Sequence, residues 1–352
     1  MAKYECDDKF KSFLQELPKC EHHVHLEGTL EPSLLFQLAK RNGITLPESF
    51  PPSPEACIER YNNFADLQDF LDHYYIGMGV LIKEDDFYDL AMEYFTKAHN
   101  DGCHHSEVFF DPQGHVERGI SIDVVVKGFD RACKDATAKF GNTNKLIMCL
   151  LRHLPSAAGL ETIKSAAPYY ENGTIHGLGL DSAEKPFPPE LFTECYKYIS
   201  DNFSNVGLTA HAGEEGDSTY VTRAIDQLKV TRIDHGVNSQ HDQELMKQLA
   251  DNKTMLSMCP LSNVKLQVVK DVSELPIDVF FNANVPFSIN SDDPAYFGGY
   301  ILDNYVAVHT RFGFTHEQWA IIAKNGINGS WCDEERKIEL RNKVDEVVAK
   351  HT

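Results

Sequence analysis

Lys19-Cys20-Glu21-His22-His23-Val24-His25-Leu26-Glu27-Gly28 brings three histidines into four residues near the start of the chain. On an extended strand, side chains at i and i+2 point the same way. His23 and His25 then present two imidazoles to one face, and Val24 turns to the other. Two neutral imidazoles on one face are half of a site for zinc or another borderline metal. Such a site takes about four ligands, and a catalytic one leaves a position for water. Taken alone, the spacing fits a chance cluster of histidines at a strand end equally well. The rest of the chain has to supply the missing ligands.

Downstream of this first strand, residues 19–25, the pattern turns helical. Leu34, Leu35, Leu38 and Ala39 are helically spaced, and residues 47–54, with four prolines, read as a loop. Phe64, Leu67, Phe70, Leu71 and Tyr74 recur at i, i+3, i+6, i+7 and i+10, one apolar helix face. That face suits plain core packing or a lid over a pocket near the first strand. A further helix is expected over residues 84–100. Short apolar segments then alternate with helical ones. The segments are residues 105–110, 145–151, 175–180, 208–211, 232–235, 255–258 and 285–290. Helical patterns lie between them, as at 122–140, 189–203, 219–228 and 242–250. About eight strand–helix repeats make an α/β protein with a (β/α)₈ TIM barrel. The expectation is a single catalytic domain over residues 1–352, with a helical insertion at about 30–100 and further helices from His316 onward.

In such a barrel, catalytic residues sit at the C-terminal strand ends. The first strand ends in His25, and the fifth runs into His211-Ala-Gly-Glu214-Glu215-Gly. The sixth ends in Asp234-His235-Gly and the eighth in Asn290-Ser-Asp292-Asp293-Pro. Each block carries metal-ligand or acid–base side chains and breaks at glycine or proline. Any one of them alone would read as structural, but together they converge on one rim.

Bulk properties narrow the function. The chain has 352 residues and a formal net charge of -20. So acidic a protein is poorly suited to gripping a nucleic-acid backbone or an anionic membrane. The nine cysteines contain no Cys-x-x-Cys pair and read as reduced, mostly buried thiols. Met1–Asp8 has no apolar core of a secretory signal, and the run 146–151 is too short to span a bilayer. The expected location is cytoplasmic, with the nucleus as a second compartment. His115-Val-Glu117 echoes the His-x-Glu of cytidine-type deaminases, but no Pro-Cys-x-x-Cys follows, so it reads as loop. His22, His104 and His105 are expected at the surface or behind the ligands.

The His-x-His, His-Ala-Gly-Glu, Asp-His-Gly and Ser-Asp-Asp-Pro blocks, in this order, resemble the adenosine/AMP deaminase superfamily, metal-dependent amidohydrolases. The resemblance covers about residues 17–348. It implies one zinc ion per chain held by His23, His25, His211 and Asp292. It also implies Glu214 as proton donor, His235 beside the attacking hydroxide and Asp293 as the carboxylate that binds the purine. Two departures resemble the adenine deaminase branch. Glu107-Val-Phe109-Phe-Asp111-Pro-Gln stands where adenosine deaminases have Glu-Val-Arg-Tyr-Ser-Pro. Gly179-Leu-Asp181-Ser182-Ala-Glu184 stands where they have Asp-Leu-Ala-Gly, whose glycine backbone approaches the purine. Glu184 is expected to bring bulk and charge to that place.

The implied activity is hydrolytic deamination of adenine, a small-molecule substrate, to hypoxanthine and ammonia in purine salvage. Its alternatives are deamination of adenosine or another amino-heterocycle, or a non-catalytic metal- or purine-binding barrel. The chemistry suits the residues. Zinc lowers the pKa of water from about 15.7 to about 7, and Glu214 would protonate the ring nitrogen beside the attacked carbon. For that its carboxyl must stay protonated near pH 7, through a dry pocket or a nearby negative charge. His235 would accept the water's proton. An ionised Asp293 would accept from an imidazole N–H that only the free base offers.

Overall fold

The computed structural model describes residues 4–352. Eight strands form one parallel sheet in sequence order. They are β1 Lys19–Glu21, β2 Cys103–Phe110, β3 Thr143–Leu151, β4 Ile175–Asp181, β5 Gly207–Ala212, β6 Arg232–His235, β7 Met255–Met258 and β8 Phe287–Ile289. Helices connect them on the outside, as a (β/α)₈ barrel requires. Strands covered on both faces read as continuous apolar runs: residues 146–151 of β3 are buried without a break.

The first strand is shorter than its sequence suggests. The regular ladder stops at Glu21, because the His22 N–H turns to the side-chain Oδ1 of Asn290 at 2.7 Å. Pairing resumes at Val24, which bridges Asp292, and at His25, which bridges Phe109. On one side Asp292 donates its N–H to the His23 carbonyl, and His25 donates to the Asp292 carbonyl, both at 3.0 Å. On the other side Phe109 donates to the Val24 carbonyl at 2.8 Å. Residues 23–26 are thus the seam that joins β2 to the chain beyond β8.

The helices follow local chemistry. Ile122–Phe140 buries Val125, Val126, Phe129, Ala132, Cys133 and Ala136, one stripe at helical spacing, and ends on Gly141 at φ +72°. The expected helix over 64–75 is Leu67–Met78, capped by Asp66, whose carboxylate accepts from Asp69 N–H at 2.9 Å. The proline-rich loop ends in a helix, Pro54–Tyr61, with Ser53 as its cap. His115-Val-Glu117, read as loop, instead ends a short helix, Pro112–Val116, and His115 is buried on Glu27 Oε1 at 2.8 Å.

His22 and His105 also depart from expectation, since both are buried at the barrel floor. His22 lies between Ser288 and Ser330 Oγ, at 3.0 and 2.7 Å. His105 reaches Glu107 Oε1 at 3.0 Å, and Arg232 pairs with the other oxygen. Burial opposes ionisation of Glu107, but Arg232 and then His105 hold its carboxyl well below the usual range. Among the described residues all nine cysteines are unpaired, and no helix is long and apolar enough to cross a membrane.

Asn290 fastens the seam from β8, donating also to Met258 O and Ser288 Oγ. Asn290→Ala leaves the His22 N–H buried without a partner, which costs about 1–3 kcal/mol. The urea midpoint should fall while the m-value stays unchanged. An unmoved midpoint would show that closure does not depend on this side chain.

Candidate active site

The seam and two strand ends bring the predicted ligands together. His23, His25, His211 and Asp292, all buried, each offer a donor atom, and the four atoms lie within 4.8 Å of one another. Asp292 Oδ1 is 3.3 Å from His23 Nε2 and 3.5 Å from His25 Nε2. His25 Nε2 lies 3.3 Å from His211 Nε2. Separations near 3.3 Å are the edges of a tetrahedron with bonds of about 2.0–2.1 Å. His23 Nε2 is buried and has no hydrogen-bond partner, an arrangement that costs free energy unless something accepts its lone pair. The donor set fits a metal ion.

Electrostatics agree. Burial pushes His25 down, and pushes His211 well below the usual histidine range with help from His23 and His235. Neutral imidazoles are the ligating form. For Asp292, burial favours the neutral acid, but His23 outweighs it and holds the carboxyl well below its usual value.

The candidate ligands are oriented from behind, as metal-binding histidines generally are. His23 Nδ1 meets Ser257 Oγ at 3.0 Å, and Ser257 donates to Asp234 Oδ1 at 2.9 Å. Thr209 donates to the other Asp234 oxygen at 2.8 Å, which faces His211 Nδ1 at 3.6 Å. Asp181 Oδ2 sits 3.4 Å from His25 Nδ1. Asp292 and His235 both hold φ at +65°. Non-glycine residues rarely adopt that conformation, and its strain concentrates at functional sites.

A cavity opens beside this cluster, and the other three predicted residues, Glu214, His235 and Asp293, line it. His235 Nε2 is 3.4 Å from Glu214 Oε2 and 3.8 Å from Asp292 Oδ2. Burial lowers the His235 imidazole to about 3. Burial, then Asp292 and Glu184, raise the Glu214 carboxyl well above the usual range. Burial and Asp292 do the same to Asp293, which disfavours the ionised form expected there and leaves its carbonyl oxygen as the acceptor. Asp293 packs against the Gly28 backbone: a Cβ on Gly28 would come within 1.8 Å of its Oδ1. That contact explains the glycine that closes the opening stretch.

The helix Leu67–Met78 forms one wall with Leu67, Phe70, Leu71, Tyr74 and Tyr75. Its apolar face therefore covers the pocket. Tyr74 donates to Asp111 Oδ2 at 3.0 Å, and Asp181 and Ser182 complete the polar side. Glu184 does not project into this cavity. Its carboxylate turns to the loop after β5, and its own N–H is bonded to Glu215 Oε2 at 2.9 Å.

The adenosine deaminase family model matches residues 18–347. The chain belongs to the adenosine deaminase family. Among family members, a Candida albicans protein named adenine deaminase is 76% identical, the match covering 100% of this chain and 99% of that one. One of Saccharomyces cerevisiae with the same name is 62% identical over 97% and 98%. The crystal structure of adenine deaminase from Arthrobacter aurescens superposes with a TM-score of 0.90. It is 38% identical to this chain and covers 94% of it and 99% of that chain.

Sequence reasoning missed Asn263, whose Nδ2 donates to Glu214 Oε1 at 3.0 Å and lies 3.5 Å from His235 Nδ1. It lies in the short helix Pro260–Lys265 just past β7. Carrying the strand-end rule to that strand would have found it. Asp181 was read only as part of a motif, and Ser257 sits in an apolar strand with nothing to mark it.

His23→Ala or His25→Ala should each lower metal content well below one equivalent and lower the melting temperature of the purified protein. The variant should no longer respond to a chelator that destabilises the parent chain. A variant that keeps its full metal complement would remove that histidine from the ligand set.

Proposed function

We propose that the protein is a zinc-dependent adenine deaminase, converting adenine and water to hypoxanthine and ammonia in cytoplasmic purine salvage. The observation that carries this reading is the pairing of Glu214 with His235, 3.4 Å apart, beside the four-donor cluster in a largely buried cavity. A barrel that only bound metal or purine would need neither group there. The names of the relatives support the free base as substrate.

His23, His25, His211 and Asp292 would hold the zinc, which lowers the pKa of a water to about 7 when bound. His235 is the base: burial keeps it neutral, so a nitrogen is free to take a proton from the attacking water. Glu214 is the acid. Its carboxyl stays protonated where burial and the Asp292 charge disfavour a second anion. It donates to the ring nitrogen next to the carbon under attack, so charge does not build up on the purine. Asn263 fixes which Glu214 oxygen is free by occupying Oε1. Asp293 lies beyond Asp292 and would meet the imidazole half of the base, where free adenine carries an N–H and a nucleoside carries none at the glycosylated nitrogen. The apolar residues of Leu67–Met78 exclude water around the ring.

Turnover of adenine should exceed that of adenosine by orders of magnitude in a substrate panel run with metal analysis on one preparation. A clear preference for adenosine would overturn the substrate assignment. Glu214→Gln should keep its metal and lose roughly 10²–10⁴-fold in kcat. Full activity in that variant would overturn the mechanism. Asp293→Asn should raise KM for adenine and lower kcat, and unchanged free-base turnover would exclude the Asp293 contact.

A further inference from the structure

The loop that carries Glu214 has no regular ladder to hold it, so its backbone groups need other partners. Glu184, buried at the end of β4, supplies three of them. Its Oε2 accepts from Gly213 N–H at 3.1 Å and Gly216 N–H at 2.8 Å, and its Oε1 accepts from Glu214 N–H at 2.9 Å. The approach is close: a Cβ on Gly216 would come within 2.5 Å of Glu184 Oε2. Glu215 answers in the other direction by accepting the Glu184 N–H. The loop's carbonyls have separate holders. Asn238 donates to Glu214 O at 3.1 Å and Gly216 O at 2.8 Å, while within β5, ahead of the loop, Arg152 Nη1 donates to His211 O at 2.7 Å.

We propose that Glu184 is a positioning residue that fixes the backbone of Glu214 relative to His235 and Asn263. This deepens the reading of Glu214 as proton donor and rests on it. The division of labour makes the role separable from folding. Asn238 still holds the loop when Glu184 changes, and the Glu184 carboxylate bonds to no residue of a strand or of the metal cluster, so the barrel is expected to survive while the acid's backbone gains freedom. A glutamine keeps one acceptor oxygen. That oxygen satisfies the Gly213 and Gly216 donors, and its amide then faces the Glu214 N–H, so the misfit falls on the acid itself. An alanine leaves all three N–H groups unpaired. Small displacements of a catalytic group lower rates by about 10²-fold.

The test measures kcat and KM for adenine, per equivalent of bound metal, in the parent chain, Glu184→Gln and Glu184→Ala. The expected result for Glu184→Gln is a kcat about 10–100-fold lower, a KM within about threefold of the parent, and one metal per chain. Glu184→Ala should lose more kcat than the glutamine variant. If Glu184→Ala does not fold, Glu184→Gln decides alone. Parent kcat per bound metal in Glu184→Gln overturns the proposal, as does a change confined to KM. A parent chain inactive on adenine would instead overturn the functional reading on which the proposal rests.

Discussion

The site depends on one stretch of backbone pairing. The chain at residues 23–26 is hydrogen-bonded to Phe109 on one side and to Asp292 on the other. The second pairing closes the barrel. It also sets three candidate ligands at once, because His23, His25 and Asp292 are the residues that pair or flank the pairs. A metal ion at this place would bond across the same seam through side chains. Metal binding and barrel closure are therefore coupled by geometry: ligation favours the closed form, and closure pre-orients the ligands. His211 reaches in from β5, so the ligand set spans the barrel instead of one edge of it.

Around that seam the protein arranges charge in layers. The nearest layer is imidazole and one carboxylate, with burial favouring the neutral form of His25 and His211. Behind it lie Asp181, and Asp234 with Ser257, each facing the outer nitrogen of a histidine. On the cavity side a second group of carboxyls, Glu214 and Asp293, is driven toward the neutral form because Asp292 already holds the negative charge. One carboxylate is favoured as the anion, and its two neighbours are pushed toward the neutral acid. The same principle separates an acid from a ligand wherever two carboxyls share a dry site.

The fold was legible because its signals repeat. Eight short apolar segments separated by helical patterns leave few alternatives, and the polar residues at their ends mark the rim. All seven site residues named from the sequence lie in the cluster or the cavity beside it. What was hidden depended on contacts that no local pattern encodes. The strand at residues 19–25 reads as continuous, but a long-range bond from Asn290 breaks it at His22. Glu184 reads as a charge aimed at the substrate, yet three backbone donors from another loop capture it. His22 and His105 read as surface or supporting residues, and the barrel floor buries them against serines and Glu107. His22 and Glu184 are satisfied by partners far away in sequence, and His105, which meets Glu107 two residues on, is buried by the strands around it.

The central claim is that closing the barrel assembles a metal centre from three histidines and Asp292. X-ray absorption at the metal edge tests it most directly. Nitrogen and oxygen alone are expected around the ion, at about 2.0–2.1 Å, with imidazole scattering from three rings. Cys259 lies with His235 and Asp292 in a second group able to hold a metal. A sulfur shell at about 2.3 Å would place the ion there and contradict the account.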